Sequence, residues 1–220
     1  MNKYLAEGFG TFIFVLAAAG SILANNQTGG ALGVVGIALV HAFALAAVIY
    51  SIWHISGAHV NPAISIAQAL TGHLAPLVAL GYVVSQLIGA VTAALLLKFL
   101  FADVSAQLYL GDAMLGTNVS PLTGMVAEAV FTFALSWVVY GAAVSKKAAT
   151  GFGGLAAGAM LGVAILVIGH ISGASLNPAR SFGPALVSAH WDNHFIYWVG
   201  PLFGAIVAGV MQHFVVEKAK

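Results

Sequence analysis

A twelve-residue stretch occurs twice in this chain, as His54-Ile-Ser-Gly-Ala-His-Val-Asn-Pro-Ala-Ile-Ser65 and as His170-Ile-Ser-Gly-Ala-Ser-Leu-Asn-Pro-Ala-Arg-Ser181, with nine of the twelve positions identical. Each copy follows a long apolar segment and leads into a shorter one. The likeness extends outward. Ala6-Glu7 with Thr11-Phe12 recurs as Ala127-Glu128 with Thr132-Phe133, and Gln86-Leu-Ile-Gly-Ala-Val resembles Pro201-Leu-Phe-Gly-Ala-Ile. The chain is an internal duplication, with halves at approximately 1–101 and 121–220 joined by a loop at 102–120. Whatever the first half builds, the second must build again.

The repeated unit belongs in a membrane. Apolar residues make up 61% of the chain and charged residues 6%, with a mean hydropathy of +1.01, whereas soluble chains are about one quarter charged. Six stretches, near 4–24, 33–53, 76–100, 121–144, 153–171 and 194–216, are apolar over roughly 20 residues, enough to cross about 30 Å of hydrocarbon. No cleavable leader stands apart from the first, which therefore reads as a span. Three spans per half is an odd number, so the second half enters from the opposite face. The reading is an all-α membrane protein, one channel domain over 1–220, with the functional site where the inverted halves meet near the midplane.

The basic residues are Lys3, Lys98, Lys146, Lys147, Arg180, Lys218 and Lys220. With both termini cytoplasmic, Lys3, the Lys146-Lys147 loop and the Lys218/Lys220 tail fall inside, while Asp103, Asp112 and Asp192 fall outside, as the positive-inside bias requires. Lys98 can snorkel to the headgroups. Compact loops suit a multi-pass plasma-membrane protein. The net charge of +1 offers nothing to nucleic acid, and zero cysteines exclude disulfides, thiolate metal sites and thiol catalysis.

Asn-Pro is a helix start: the Asn side chain caps, and Pro suits the first position because its missing N–H would go unpaired there. The apolar runs after Pro62 and Pro178 last about ten residues, or about 15 Å, half the hydrocarbon thickness. Two re-entrant half-helices thus meet tip to tip. Their unwound lead-ins, Ser56-Gly57-Ala58-His59 and Ser172-Gly173-Ala174-Ser175, expose carbonyls, which a membrane tolerates only beside a water-filled path. Half-helix N-termini carry roughly half a positive charge each and repel cations. Asn61 and Asn177 offer amide N–H donors at the same place, flanked by Pro62-Ala63 and Pro178-Ala179. Arg180 adds a permanent charge inside the membrane, which is a functional-site hypothesis by default. Glu7 and Glu128 are expected as buried acceptors for lead-in N–H groups.

These paired motifs, with NPARS in the second copy, resemble the aquaporin (major intrinsic protein) family over essentially the whole chain. The resemblance implies six tilted helices plus two half-helices, one pore per subunit, and a homotetramer. It also implies passive conduction of water and small neutral solutes, with protons and ions excluded by an arginine and the half-helix dipoles. No cofactor is implied. The family's outer constriction maps onto His41, Ile165, Ala174 and Arg180 by distance from Asn61 and Asn177. His then Ile resembles the plant tonoplast type rather than the Phe/His pair of strict water channels. Ser181, where glycerol channels have Asp, and Tyr197-Trp198 point to the water-channel branch. The outer loop 101–120 holds no histidine, and backbone carbonyls near Thr117 and Asn118 are expected to hold Arg180.

The remaining histidines have plainer readings. His59 is expected to face the inner vestibule, with Gly57, Ala58, Gly173 and Ser175 supplying lining carbonyls. His54 and His170 read as structural, and His190, His194 and His213 as interfacial. An ion-coupled transporter could share the inverted repeat, but the centre holds two Asn and an Arg rather than carboxylates. A membrane enzyme finds no metal-spaced cluster, nucleophile motif or phosphate loop.

Overall fold

The computed structural model describes residues 2–144 and 151–214. Lys146, Lys147, Lys218 and Lys220, on which part of the orientation argument rests, lie outside the described residues, as does the end of the expected sixth span. The helices are α1 (Asn2–Gln27), α2 (Gly33–Ser56), α3 (Pro62–Leu70), α4 (Pro76–Leu100), α5 (Ala102–Ser105), α6 (Pro121–Val139), α7 (Gly153–Ser172), α8 (Pro178–Ser188) and α9 (Ile196–Gln212). A π-helical turn, Tyr140–Val144, continues α6. By length and composition α1, α2, α4, α6 with its π turn, and α7 are apolar enough to cross a membrane. The 17 residues of α9 span about 26 Å at 1.5 Å per residue.

The helix ends sharpen the sequence reading. His54-Ile-Ser and His170-Ile-Ser close α2 and α7, so Ser56 and Ser172 belong to these helices rather than to the lead-ins. Each helix stops where a glycine takes a left-handed conformation, Gly57 at φ 87° and Gly173 at φ 79°. There an L side chain would be strained, and the glycine N–H closes the last turn. Ser120 caps α6 by accepting from Thr123 N–H, with Pro121 at the first helical position.

Packing repeats between the halves. α1 packs on α4 and α2, as α6 packs on α9 and α7. The half-helices cross over: α8 lies against α4 of the first half, and α3 against α9 of the second. α2 and α7 close the bundle against each other. Close approach needs small residues, since lipid supplies no hydrophobic drive between helices. A Cβ on Gly89 would fall on the Gly8 carbonyl oxygen, and its repeat counterpart Gly204 faces the Ala129 carbonyl in the same way. Gly89→Ala is therefore expected to force backbone apart at a cost of about 1–3 kcal/mol, read as a lower thermal midpoint in detergent. An unchanged midpoint would show that α1 and α4 are not so closely seated.

Candidate functional site

The duplicated Asn residues sit at the ends of α3 and α8 in extended conformation, Asn61 at φ −155° and Asn177 at φ −148°. The Asn61 Oδ1 accepts Ala63 N–H at 2.9 Å, and the Asn177 Oδ1 accepts Ala179 N–H at 3.0 Å and Arg180 N–H at 3.4 Å. These caps leave each amide nitrogen turned toward the other half. Asn61 Nδ2 donates to the Leu176 carbonyl at 2.8 Å, and Asn177 Nδ2 donates to the Val60 carbonyl at 2.7 Å. The half-helix tips are stitched together by these crossed bonds. One of the two amide hydrogens of each Asn is thereby committed to protein, leaving one for anything that passes.

The lead-ins are held open by two buried carboxylates. Ala58, Val60, Ala174 and Leu176 all have positive φ, from 43° to 53°, a conformation that non-glycine residues hold only when their surroundings impose it. In the first half Glu7 imposes it. Its Oε1 accepts from Ser56 Oγ at 2.7 Å and His59 N–H at 2.9 Å, and its Oε2 from Val60 N–H at 2.7 Å and Gln86 Nε2 at 2.8 Å. Glu128 does the same in the second half, accepting from Ser172 Oγ at 2.7 Å, Ser175 N–H at 2.9 Å and Leu176 N–H at 2.7 Å. Tyr82 and Tyr197 complete the pattern, their hydroxyls donating to the carbonyls of Ser56 and Ser172 at 2.7 and 2.9 Å. Neither tyrosine's support role was foreseen, although each sits four residues before a matched repeat position, Gln86 or Pro201. The halves differ at one point: Gln86 binds both Glu7 and Ser65, and Pro201 has no side chain that could.

A cavity reaches the crossed asparagines along the first lead-in. Gly57, Ala58, His59, Val60, Asn61, Ser175 and Asn177 line it, with Leu45, Ile49 and Leu161 as apolar wall. His59 is positioned by Ser65, whose Oγ lies 3.2 Å from its Nδ1, and by an edge contact to Tyr82 at 5.2 Å. Gly173 is not on this cavity and packs instead against Ala113 and Met114 of the outer loop. His54 and His170 are exposed at the ends of α2 and α7.

His41, Ile165, Ala174 and Arg180 are all buried. Ile165 and Ala174 share a buried cluster with Phe14, whose ring meets His41 edge-on at 6.4 Å. Arg180 lies within Coulombic reach of His41. The His41 Nδ1 is 2.9 Å from the Ile37 carbonyl, so that nitrogen carries the hydrogen and Nε2 is an acceptor. This Nε2 and all three guanidinium nitrogens of Arg180 are buried without a hydrogen-bond partner among the described residues. The carbonyls near Thr117 and Asn118 therefore do not hold Arg180, contrary to the sequence expectation. The outer loop is spent on other contacts, with Gly116 N–H donating to Ile171 O at 2.9 Å. Buried donors on Arg180 and a buried acceptor on His41 are thus left without protein partners among the described residues, able to satisfy a small molecule that both gives and accepts hydrogen bonds.

A model of the major intrinsic protein family matches residues 1–212. Aquaporin TIP4-4 of Zea mays is 41% identical over 218 residues, covering 96% of this chain and 85% of that protein. Probable aquaporin TIP2-1 of Oryza sativa subsp. japonica is 42% identical over 218 residues, covering 96% of this chain and 86% of that protein. The solved structure of the aquaglyceroporin from Plasmodium falciparum superposes with a TM-score of 0.83 over 98% of this chain and 96% of its own, at 24% identity, and shares the fold. The chain belongs to the major intrinsic protein family. It is a passive membrane channel and not an enzyme.

Proposed function

We propose that the chain conducts water, and ammonia beside it, through a pore running past Asn61 and Asn177 to a constriction formed by His41, Ile165, Ala174 and Arg180. The observation that carries this reading is the group of unspent polar atoms, Arg180 Nε, Nη1 and Nη2 and His41 Nε2, buried without hydrogen-bond partners among the described residues. A neutral solute can trade its water shell for these fixed groups at little cost, while a cation meets a guanidinium charge and two half-helix N-termini. Pro62-Ala63 and Pro178-Ala179 start the half-helices, and carbonyls of Gly57, Ala58, His59, Gly173 and Ser175 serve as acceptors on either side. Glu7 and Glu128 act as supports rather than as lining.

The wider reading is one channel domain with both termini cytoplasmic, in the plasma membrane, assembled as a homotetramer with one pore per subunit. Chemical cross-linking and native mass measurement in detergent test the tetramer. The ammonia reading rests on Ile165, which puts no donor at the second position, where strict water channels carry the histidine of their Phe/His pair. The double substitution His41→Phe with Ile165→His is expected to abolish ammonia flux into proteoliposomes while sparing water. Equal ammonia fluxes in parent and double variant, or none above bare lipid in the parent, would remove ammonia from the proposal.

A further inference from the structure

We propose that Asp112 and His190 form a clasp across the outer mouth that positions the constriction, and that this pair sets how sharply the pore separates water from larger neutral solutes. The inference rests on the channel reading above and adds to it two residues that lie outside the pore lining. Asp112 belongs to the loop between the halves, and His190 follows the end of α8, so the two meet from opposite ends of the second half's outer surface.

The loop carrying Asp112 is seated on both sides. A Cβ on Gly111, whose φ is +70°, would come within 2.5 Å of the Ala19 carbonyl oxygen of α1. Gly173 has no room for a Cβ either, because Ala113 Cα would lie 3.0 Å away and Met114 N 3.1 Å away. Two residues further on, Gly116 N–H donates to the Ile171 carbonyl at the end of α7. Residues 111–116 therefore form the outer wall against which the second lead-in rests, and Ala174, a constriction position, is the next residue after Gly173.

The other half of the clasp leads back to Arg180. His190 N–H donates to Ala185 O at 3.0 Å, fastening it to the helix whose first turn bears Arg180. Its Nδ1 lies 3.1 Å from Asp112 Oδ2, while Asp112 Oδ1 accepts Ala113 N–H at 2.7 Å. Tyr109 stacks on the His190 ring at 4.0 Å and 18°. Only 2% of the Asp112 side chain and 12% of that of His190 are exposed. Tyr109 and Leu110 beside Asp112, and Ala189 beside His190, all have positive φ, so strained backbone on each side converges on this contact. A buried carboxylate is costly unless it is paired. Here the pair connects the segment behind Ala174 to the helix carrying Arg180.

The charges around the pair give the clasp a pH signature. Arg180 and Tyr197 lie within Coulombic reach of Asp112. Tyr109 and the exposed Asp192, with Oδ2 3.9 Å from His190 Nε2, face His190 from the loops, and His194 lies within reach of its charge. The neighbouring ends of α4 and α5, which also touch the Tyr109–Gly111 turn, carry Lys98 and Asp103. Burial pushes the Asp112 carboxyl up to about 6, against the pull of the His190 hydrogen bond, the Arg180 charge and the Ala113 N–H. A carboxyl raised in the folded state binds its proton more tightly there. Its own contribution therefore favours folding as pH falls through about 6 toward the ordinary carboxylate range. Acid does not unfold the mouth through Asp112. It removes the negative charge that His190 and Arg180 face and so weakens the clasp.

The test is the ratio of glycerol to water permeability in proteoliposomes, measured at pH 7.5 and pH 5. The parent ratio is expected to rise about threefold at pH 5, the low end of what one hydrogen bond contributes. Asp112→Asn, close to isosteric, should give the raised ratio at both pH values. His190→Ala should raise it at least as far, again without pH dependence. Asp192→Asn, a change to an exposed neighbour, should behave as the parent does. No water flux above bare lipid in the parent would overturn the channel reading itself. Normal water flux with one ratio and one pH profile shared by the parent, Asp112→Asn and His190→Ala would overturn the clasp alone. Should His190→Ala fail to assemble, the parent and Asp112→Asn profiles decide the matter between them.

Discussion

Replacing Glu7 by alanine is expected to remove about 3–5 kcal/mol of stability, the cost of several orphaned donors after relaxation, and to abolish water flow. The carboxylate accepts from Ser56, His59 N–H, Val60 N–H and Gln86, and its loss leaves these donors buried without a partner. Each orphaned donor carries a desolvation cost of about 1–3 kcal/mol, part of which relaxation recovers. The first lead-in would then have nothing to impose positive φ on Ala58 and Val60, and the crossed bond from Asn177 to the Val60 carbonyl would go with it. Glu128→Ala should follow the same course with a smaller loss, because Glu128 has no counterpart to the Gln86 amide among its partners. Thermal unfolding in detergent ranks the two, and stopped-flow shrinkage of proteoliposomes reads the pore. Parent-like melting and water flux in Glu7→Ala would mean that the lead-ins hold their shape without the carboxylate.

Arg180→Val is expected to admit cations. A monovalent cation passing about 4 Å from the guanidinium is opposed by about 4 kcal/mol at an effective dielectric of 20, on the order of a thousandfold in rate. Among the described residues no group hydrogen-bonds the guanidinium, so its donors and its charge stay turned to whatever passes. The half-helix dipoles remain in the variant, and the leak should therefore fall short of that of an open ion channel. Water flux should persist. Conductance or dye-reported cation flux in sealed proteoliposomes measures the change, and an ion-tight variant would place the barrier in the dipoles alone.

The features legible in the sequence are those the duplication repeats. Asn-Pro with a short apolar run predicts the half-helices, because the capping and the missing proline N–H act within a few residues. Glu7 and Glu128 stand out by symmetry, and the same symmetry would have exposed Tyr82 and Tyr197 had it been pressed further. Apolar periodicity ends the second span at 53, whereas α2 stays helical to Ser56, where Gly57 can turn left-handed, and it ends the fifth at 171, one residue short of Ser172. Contacts between unmatched loops leave no such mark. Asp112 and His190 are 78 residues apart in two unrelated loops, with no periodic pattern or matched copy to link them, and His190 read simply as interfacial. The free guanidinium of Arg180 was hidden for a related reason: where the outer-loop carbonyls point depends on the packing of 111–116 against α1 and α7. The commitment of one hydrogen of each Asn amide to the opposite lead-in likewise appears only when both halves are seen together.

The central claim is that a single file of neutral molecules passes the crossed asparagines and Arg180 while charge does not. The direct test loads sealed proteoliposomes of the parent protein with a pH-sensitive dye and records, in the same preparation, osmotic shrinkage and proton entry under an imposed pH gradient. Water permeability well above bare lipid with a low activation energy, together with proton entry no faster than through bare lipid, is the predicted result. Proton entry that rises with protein content in step with water flow would contradict the account.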